Sequence, residues 1–226
     1  MCRAVGPKAT RPGGSRDPSG AVGVRLEGEK TLQNIMPDII RAFMGIYQVI
    51  EKGGTLFICG NGGSFSDALH ISGELMKSFE LRRPLRESIR NRLINFPSGD
   101  ILAKSLEEGL RCIVLGTNLS LASAIQNDCA TRNMGYSQEL YNLARSGDIL
   151  LGISTSGNAQ NVNYAAITAK AKGLTFISLT GKYGGKLAEL ADISIKAPSE
   201  KTDKVQEIHA RIYHTLCKML EAYFFG

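Results

Sequence analysis

Two apolar runs, Thr55–Cys59 (TLFIC) and Asp148–Ile153 (DILLGI), each end in a turn of glycine, serine and asparagine: Gly60–Ser66 (GNGGSFS) and Ser154–Asn158 (STSGN). Continuous apolar runs of this length read as strands buried on both faces, and a strand that ends in a glycine-rich turn before a helix is the βα unit of a parallel sheet. Glycine lets the backbone approach a ligand closely, the amides of a helix start point toward an anion, and short hydroxyls add donors without filling the space. The paired turns therefore predict an α/β chain with an anion cradle at the carboxyl ends of its strands.

The remaining elements follow the same alternation. A helix is expected from about Leu32 to Ile50, closed by Gly53-Gly54, and another from Ser66 to about Phe79 with Ser64 or Ser66 as N-cap. Cys112–Leu115 reads as a short strand, and Ser120–Cys129 and Gly135–Arg145 as helices. Asn161–Lys172 (helix), Thr175–Leu179 (strand), Lys186–Leu190 (helix), Ile193–Ala197 (strand) and Lys204–Phe225 (helix) complete the chain. The stretch 79–109 mixes arginine, proline and a Pro97-Ser98-Gly99 turn, and its part 85–96 is compatible with a helix or a long loop. The expected architecture is a three-layer αβα sandwich around a central parallel sheet. Residues 1–20, rich in glycine and proline, are expected to be a disordered leader, and 21–226 a single domain.

Composition narrows the function. The chain has 226 residues, a formal charge of +6 and five widely spaced cysteines, with no C-x-x-C pair. That excludes a disulfide framework or a thiolate zinc motif and fits a reducing cytoplasm. No apolar run reaches membrane-spanning length. The arginine group Arg82, Arg83, Arg86, Arg90 and Arg92 is opposed by Glu80 and Glu87, and no nucleic-acid-binding motif accompanies it, so neither nucleic acid nor membrane is expected as a partner. The turn Gly60-x-Gly62-Gly63 lacks the third glycine of a dinucleotide site, where Phe65 stands, and there is no G-x-x-x-x-G-K-[ST] loop. A sugar phosphate suits the cradle better than a nucleotide.

Chemistry is available nearby. His70 and Glu74 are four residues apart, on one face of the helix that leaves the first turn. On the last helix Gln206 and His214 are eight apart, roughly 80° around the axis, so both can border one cavity, whereas His209 points elsewhere. A carboxylate beside an imidazole supplies proton-transfer groups. The same His, Glu and Gln side chains also suit a borderline divalent ion such as zinc, and each pair is equally compatible with an ordinary structural contact. Asn127-Asp128 can orient sugar hydroxyls or cap a turn.

The segments CGNGGSFSDALHISGEL (59–75), GDILLGISTSGNAQNV (147–162), TGKYGGKLAELAD (180–192) and DKVQEIHARIYH (203–214) together resemble bacterial phosphoheptose isomerases of the sugar-isomerase (SIS) fold, a flavodoxin-like architecture. The resemblance spans roughly 30–226. It implies conversion of sedoheptulose 7-phosphate to D-glycero-D-manno-heptose 7-phosphate through an enediol, with Glu74 as base and His214 as second acid/base group. It implies phosphate held by Ser64, Ser154, Thr155 and Ser156, and sugar or phosphate contacts from Asn61, Gly62, Gly63, Asn127, Asp128, Asp203 and Gln206. It further implies zinc held by His70, Glu74, Gln206 and His214, a homotetramer, and a cytoplasmic location. Relatives of the same fold also act on other sugar phosphates or serve as noncatalytic binding modules. Three departures stand out: Ala159 replaces a usual serine, Gly73 replaces a frequent glutamate, and 79–109 is longer than usual.

Overall fold

The computed structural model describes residues 30–226, with only the backbone of Lys30 and Thr31; the leader expected at 1–20 lies outside the described residues. A helical turn at Lys30–Gln33 precedes α1 (Met36–Glu51). Ile39, Ala42, Phe43 and Ile46 recur at helical spacing in α1 and are all buried, and Gly53, at φ 84°, ends it with the left-handed residue that follows many helices.

Five strands then alternate with helices: β1 (Leu56–Gly60), β2 (Cys112–Val114), β3 (Ile149–Ser154), β4 (Thr175–Thr180) and β5 (Ile193–Lys196). All neighbours pair in parallel in the order β2-β1-β3-β4-β5. This is the flavodoxin-like doubly wound order, in which the chain leaves β1 in one direction and returns to start β3 on the other side. The expected three-layer αβα sandwich is the one observed.

Alternate strand residues feed two cores. Leu56, Ile58, Ile149, Leu151 and Ile153 pack under α1, α2 (Gly63–Met76) and α9 (Thr202–Phe225). Phe57, Cys59, Leu150 and Phe176 pack under α6 (Gly135–Leu143), α7 (Gln160–Ala171) and α8 (Gly185–Leu190). A further helix, α5 (Leu119–Asp128), follows β2.

Two local expectations need correction. The helix after β1 starts at Gly63, with Gly62 (φ 53°) at the N-cap in place of Ser64 or Ser66, because glycine alone makes that sharp entry from strand to helix without strain. The same helix ends at Met76, short of Phe79, because Lys77 is fully extended (φ −141°, ψ −178°). The open choice for 85–96 resolves to helix: α3 (Glu87–Leu93) and α4 (Gly99–Ser105) form a hairpin whose neck is pinched by an antiparallel bridge between Pro84 and Glu107.

Among the described residues no helix is long and apolar enough to cross a membrane. Cys59, Cys112, Cys129 and Cys217 are free, and burial pushes the Cys59 and Cys112 thiols up to about 12, which leaves them protonated at neutral pH.

Candidate active site

Both glycine- and serine-rich turns leave the carboxyl ends of the adjacent strands β1 and β3, at the point where the strand order reverses. In the second turn Ser154 is buried and its Oγ accepts from the Gly157 amide at 3.2 Å, while Ser156 Oγ accepts from the Asn158 amide at 3.2 Å. Thr155 O accepts from the Gly181 amide, and Gly157 O from the Leu187 amide, so the Thr180–Gly185 segment closes over the turn. Three of the predicted phosphate contacts thus stand on one braced loop.

The first turn is built differently. Its Ser64 is buried in the first turn of α2, while Asn61, Gly62 and Gly63 are exposed. Asn61 exchanges two 2.8 Å amide bonds with Asn161 at the start of α7, and the Tyr136 hydroxyl reaches both Gly60 O (2.5 Å) and Asn61 Oδ1 (3.1 Å). Gly63 has a role the motif did not reveal: a Cβ there would lie 2.2 Å from Gln206 Nε2, so the missing side chain seats Gln206 against the helix start.

About two and three turns along α2, His70 Nε2 lies 3.1 Å from Glu74 Oε1. The His214 ring stands edge-on to His70 with centroids 5.0 Å apart, and the Phe79 ring stacks on it at 5.8 Å and 26°. The Tyr213 hydroxyl is 3.1 Å from His70 Nδ1 and lies beside the Asp67 carboxyl. It has one proton for these two neighbours. Burial raises Asp67, opposed by Tyr213 and His70, and burial together with Asp67 pushes the Tyr213 phenol up to about 12. Burial, and then the nearby His70, lowers the His214 imidazole, leaving it neutral at pH 7.

The structure therefore gathers His70, Glu74 and His214 at one place and puts Gln206 and the exposed Asp203 nearer the start of α9. His209 does turn away: it is buried, with Nε2 bonded to Thr180 O at 3.1 Å. Asn127 and Asp128 lie exposed at the end of α5, joined to each other by a 2.7 Å bond and, among the described contacts, to none of the other site residues.

Two imidazoles, a carboxylate and a carboxamide are donors that zinc accepts. In the arrangement seen, the four are not drawn around one point. Among the described residues no three His, Cys, Asp or Glu side chains are arranged to hold a metal ion, His70 and Glu74 are bonded to each other, and Gln206 rests on Gly63 about 12 Å of helix rise from His214.

The geometry of a doubly wound sheet with two serine-rich turns and a His/Glu cluster at its switch point has close parallels. A SIS domain model matches residues 102–181. The phosphoheptose isomerase of Halorhodospira halophila is 34% identical over 201 residues, covering 88% of this chain and 89% of its own. That of Burkholderia pseudomallei K96243 is 36% identical over 177 residues, covering 78% and 77%. The chain belongs to the phosphoheptose isomerase family. Among solved structures, the phosphoheptose isomerase from Francisella tularensis superposes with a TM-score of 0.70 at 27% identity over 85% of this chain and 90% of that one. The one from Neisseria gonorrhoeae gives 0.66 at 28% over 90% and 94%.

In this phosphoheptose isomerase family member several site residues escaped sequence reasoning: Tyr213, Asp67, Phe79, Asn161 and Tyr136. Asp67 carried a usable signal, being three residues before His70 on the same helical face. Tyr213 and Phe79 were indistinguishable from core aromatics. Asn161 and Tyr136 join the site only through contacts across 100 and 75 residues of chain.

Proposed function

We propose that the chain interconverts sedoheptulose 7-phosphate and D-glycero-D-manno-heptose 7-phosphate. The carrying observation is that Glu74 and a neutral His214 meet at one place beside the cradle. The turn Ser154–Ser156 and Ser64 hold the substrate phosphate, so that binding energy remote from the reacting carbons aligns them. Glu74 takes a proton from C1 of the ketose while the C2 oxygen gains one, giving a C1–C2 enediol. Loss of the O1 proton and return of a proton from Glu74 to C2 complete the aldose. A neutral imidazole has one donor and one acceptor nitrogen, so His214 can give a proton to one oxygen and recover one from the other. His70 orients the Glu74 carboxylate through the 3.1 Å bond.

The enzyme works as a homotetramer, which exposed apolar side chains beside the site, Leu69 (45%) and Met76 (58%), support, and it is placed in the cytoplasm. Zinc enters only as a ligand that this donor set would take by exchanging the His70–Glu74 and His70–Tyr213 bonds for metal bonds. The excess of arginine does not call for nucleic acid: Arg83 is paired with Glu221 inside the protein and Arg86 with Glu108.

Purified protein incubated with sedoheptulose 7-phosphate, with and without added zinc, is followed by NMR. An aldose heptose phosphate is expected, with solvent deuterium entering at the carbon-bound position. Glu74→Gln should lower kcat by about 10²–10⁴-fold and leave phosphate binding intact. Full turnover in that variant would sink the assignment.

A further inference from the structure

Arg83 is the bulkiest fully buried side chain among the described residues, and the residue is 1% exposed, as is Glu221. It touches both helices that carry the reacting groups. Nη1 donates to Leu75 O at 2.8 Å and Nη2 to Glu74 O at 3.1 Å, so Arg83 caps the end of α2 through the carbonyl of Glu74 itself. Nε donates to Glu221 Oε1 at 2.8 Å, with Nη2 of the same group also 2.8 Å from that oxygen. Glu221 sits seven residues, two turns, beyond His214 on α9 and therefore on the same side of that helix.

Glu221 has a second task. Its Oε1 accepts from the Phe79 amide and Oε2 from the Glu80 amide, each at 2.8 Å, and Phe79 is the residue whose ring stacks on His214. Burial raises the Glu221 carboxyl, and these amides with Arg83 outweigh it and leave it below the usual carboxylate range. The Phe225 ring covers the guanidinium, with the Arg83 Cζ 4.6 Å from its centroid. The neck of the α3–α4 hairpin is joined on as well, through the Glu108 amide to Arg83 O.

A buried ion pair is a poor source of net stability, because desolvation offsets most of the attraction. What a guanidinium fork does supply is fixed geometry, since its planar donors reach several acceptors in set directions. We propose that Arg83 and Glu221 are positioning residues for the isomerase reaction: together they set the spacing between Glu74 and His214 and hold Phe79 against the His214 ring. This rests on the assignment of Glu74 and His214 as the acid/base pair.

Arg83→Lys and Glu221→Gln keep size and polarity but break the fork, and Phe79→Leu removes only the ring. Turnover of sedoheptulose 7-phosphate is measured per folded molecule, with folding checked by circular dichroism. Arg83→Lys and Glu221→Gln are expected to lower kcat roughly a hundredfold, as a misplacement on the order of 1 Å does, with KM within about twofold of wild type. Phe79→Leu gives a smaller loss in kcat alone. Wild-type kcat per folded molecule in these variants, or kcat unchanged with KM raised, overturns the proposal. If neither fork variant folds, Phe79→Leu decides it: unchanged kcat refutes the arrangement. If wild-type protein does not turn over this substrate, the reaction assignment fails separately. Positioning is then read from the His214 ring-proton NMR shifts, which feel the Phe79 ring. Shifts that move in Phe79→Leu and in a folded fork variant support the arrangement, and shifts that stay fixed overturn it.

Discussion

The two serine-rich turns look alike in sequence and differ in construction. The turn after β3 is braced from within and above: Ser154 and Ser156 cap its own amides, and Gly157 lies so close under Gly184 that a Cβ there would come within 1.8 Å of the Gly184 oxygen. The turn after β1 is open around Gly62, where a Cβ would meet nothing within 4 Å, and its neighbours reach outward to Asn161, Tyr136 and Gln206. A closed loop presents fixed donors and suits an unreactive anchor such as a phosphate. An open turn that launches a helix transmits position to side chains farther along, here His70 and Glu74. One turn is a holder and the other a lever.

Substituting the paired glycines separates the two constructions most strongly. Gly157→Ala meets both backbone strain at φ 66° and the Gly184 carbonyl, and should cost about 4 kcal/mol in chemical denaturation, with substrate binding lost. Gly62→Ala meets only backbone strain at φ 53° and should cost about 2 kcal/mol, with the larger functional effect in kcat. Equal costs would erase the distinction between the turns.

The next effect concerns what lies behind the braced turn. His209 bonds Thr180 O at the end of β4, next to Gly181, which packs on Thr155 O, and burial lowers its imidazole from 6.5 to about 4. The folded state therefore refuses a proton that the unfolded state binds. The stability contribution is complete above pH 6.5 and is lost as pH falls toward 4, on the order of 3 kcal/mol. His209→Gln keeps a donor for Thr180 O without titrating, so its unfolding free energy should fall less steeply over that window. Parallel curves for the two proteins would remove His209 from the account.

The smallest effect is a gain. Ala159 is the N-cap of α7 and has no side-chain cap bond. Ala159→Ser should add about 1 kcal/mol of stability by capping the helix. It should also lower KM by supplying one more hydroxyl beside the Ser154–Asn158 turn. A raised melting temperature with unchanged KM would mean that the extra hydroxyl serves the helix and not the anchor.

Much of the fold was legible before any coordinates. Runs such as Asp148–Ile153 are apolar on both faces, and only a strand covered on both sides tolerates that, so the parallel layered sheet followed. The pairing of His70 with Glu74 was legible for an equally local reason, since four residues is just over one helical turn. The stretch 85–96 was not, because a hairpin with exposed Ile94, Phe96 and Ile101 carries no clear amphipathic period. Nor was Arg83, which reads as one of several surface arginines until Glu221, 138 residues later, is folded against it.

What the sequence determined by itself was local and periodic: the strands, the helices, the glycine turns that join them, and the one-turn spacing that puts an imidazole beside a carboxylate. Tertiary structure alone decided the partners. It chose which turn would be braced, set Gln206 in the space that Gly63 leaves, and buried a guanidinium between the two helices of the site. The physical reason is that propensity and period act between near neighbours along the chain, whereas desolvated polar groups take their partners from whatever the packing of the layers brings within about 3 Å.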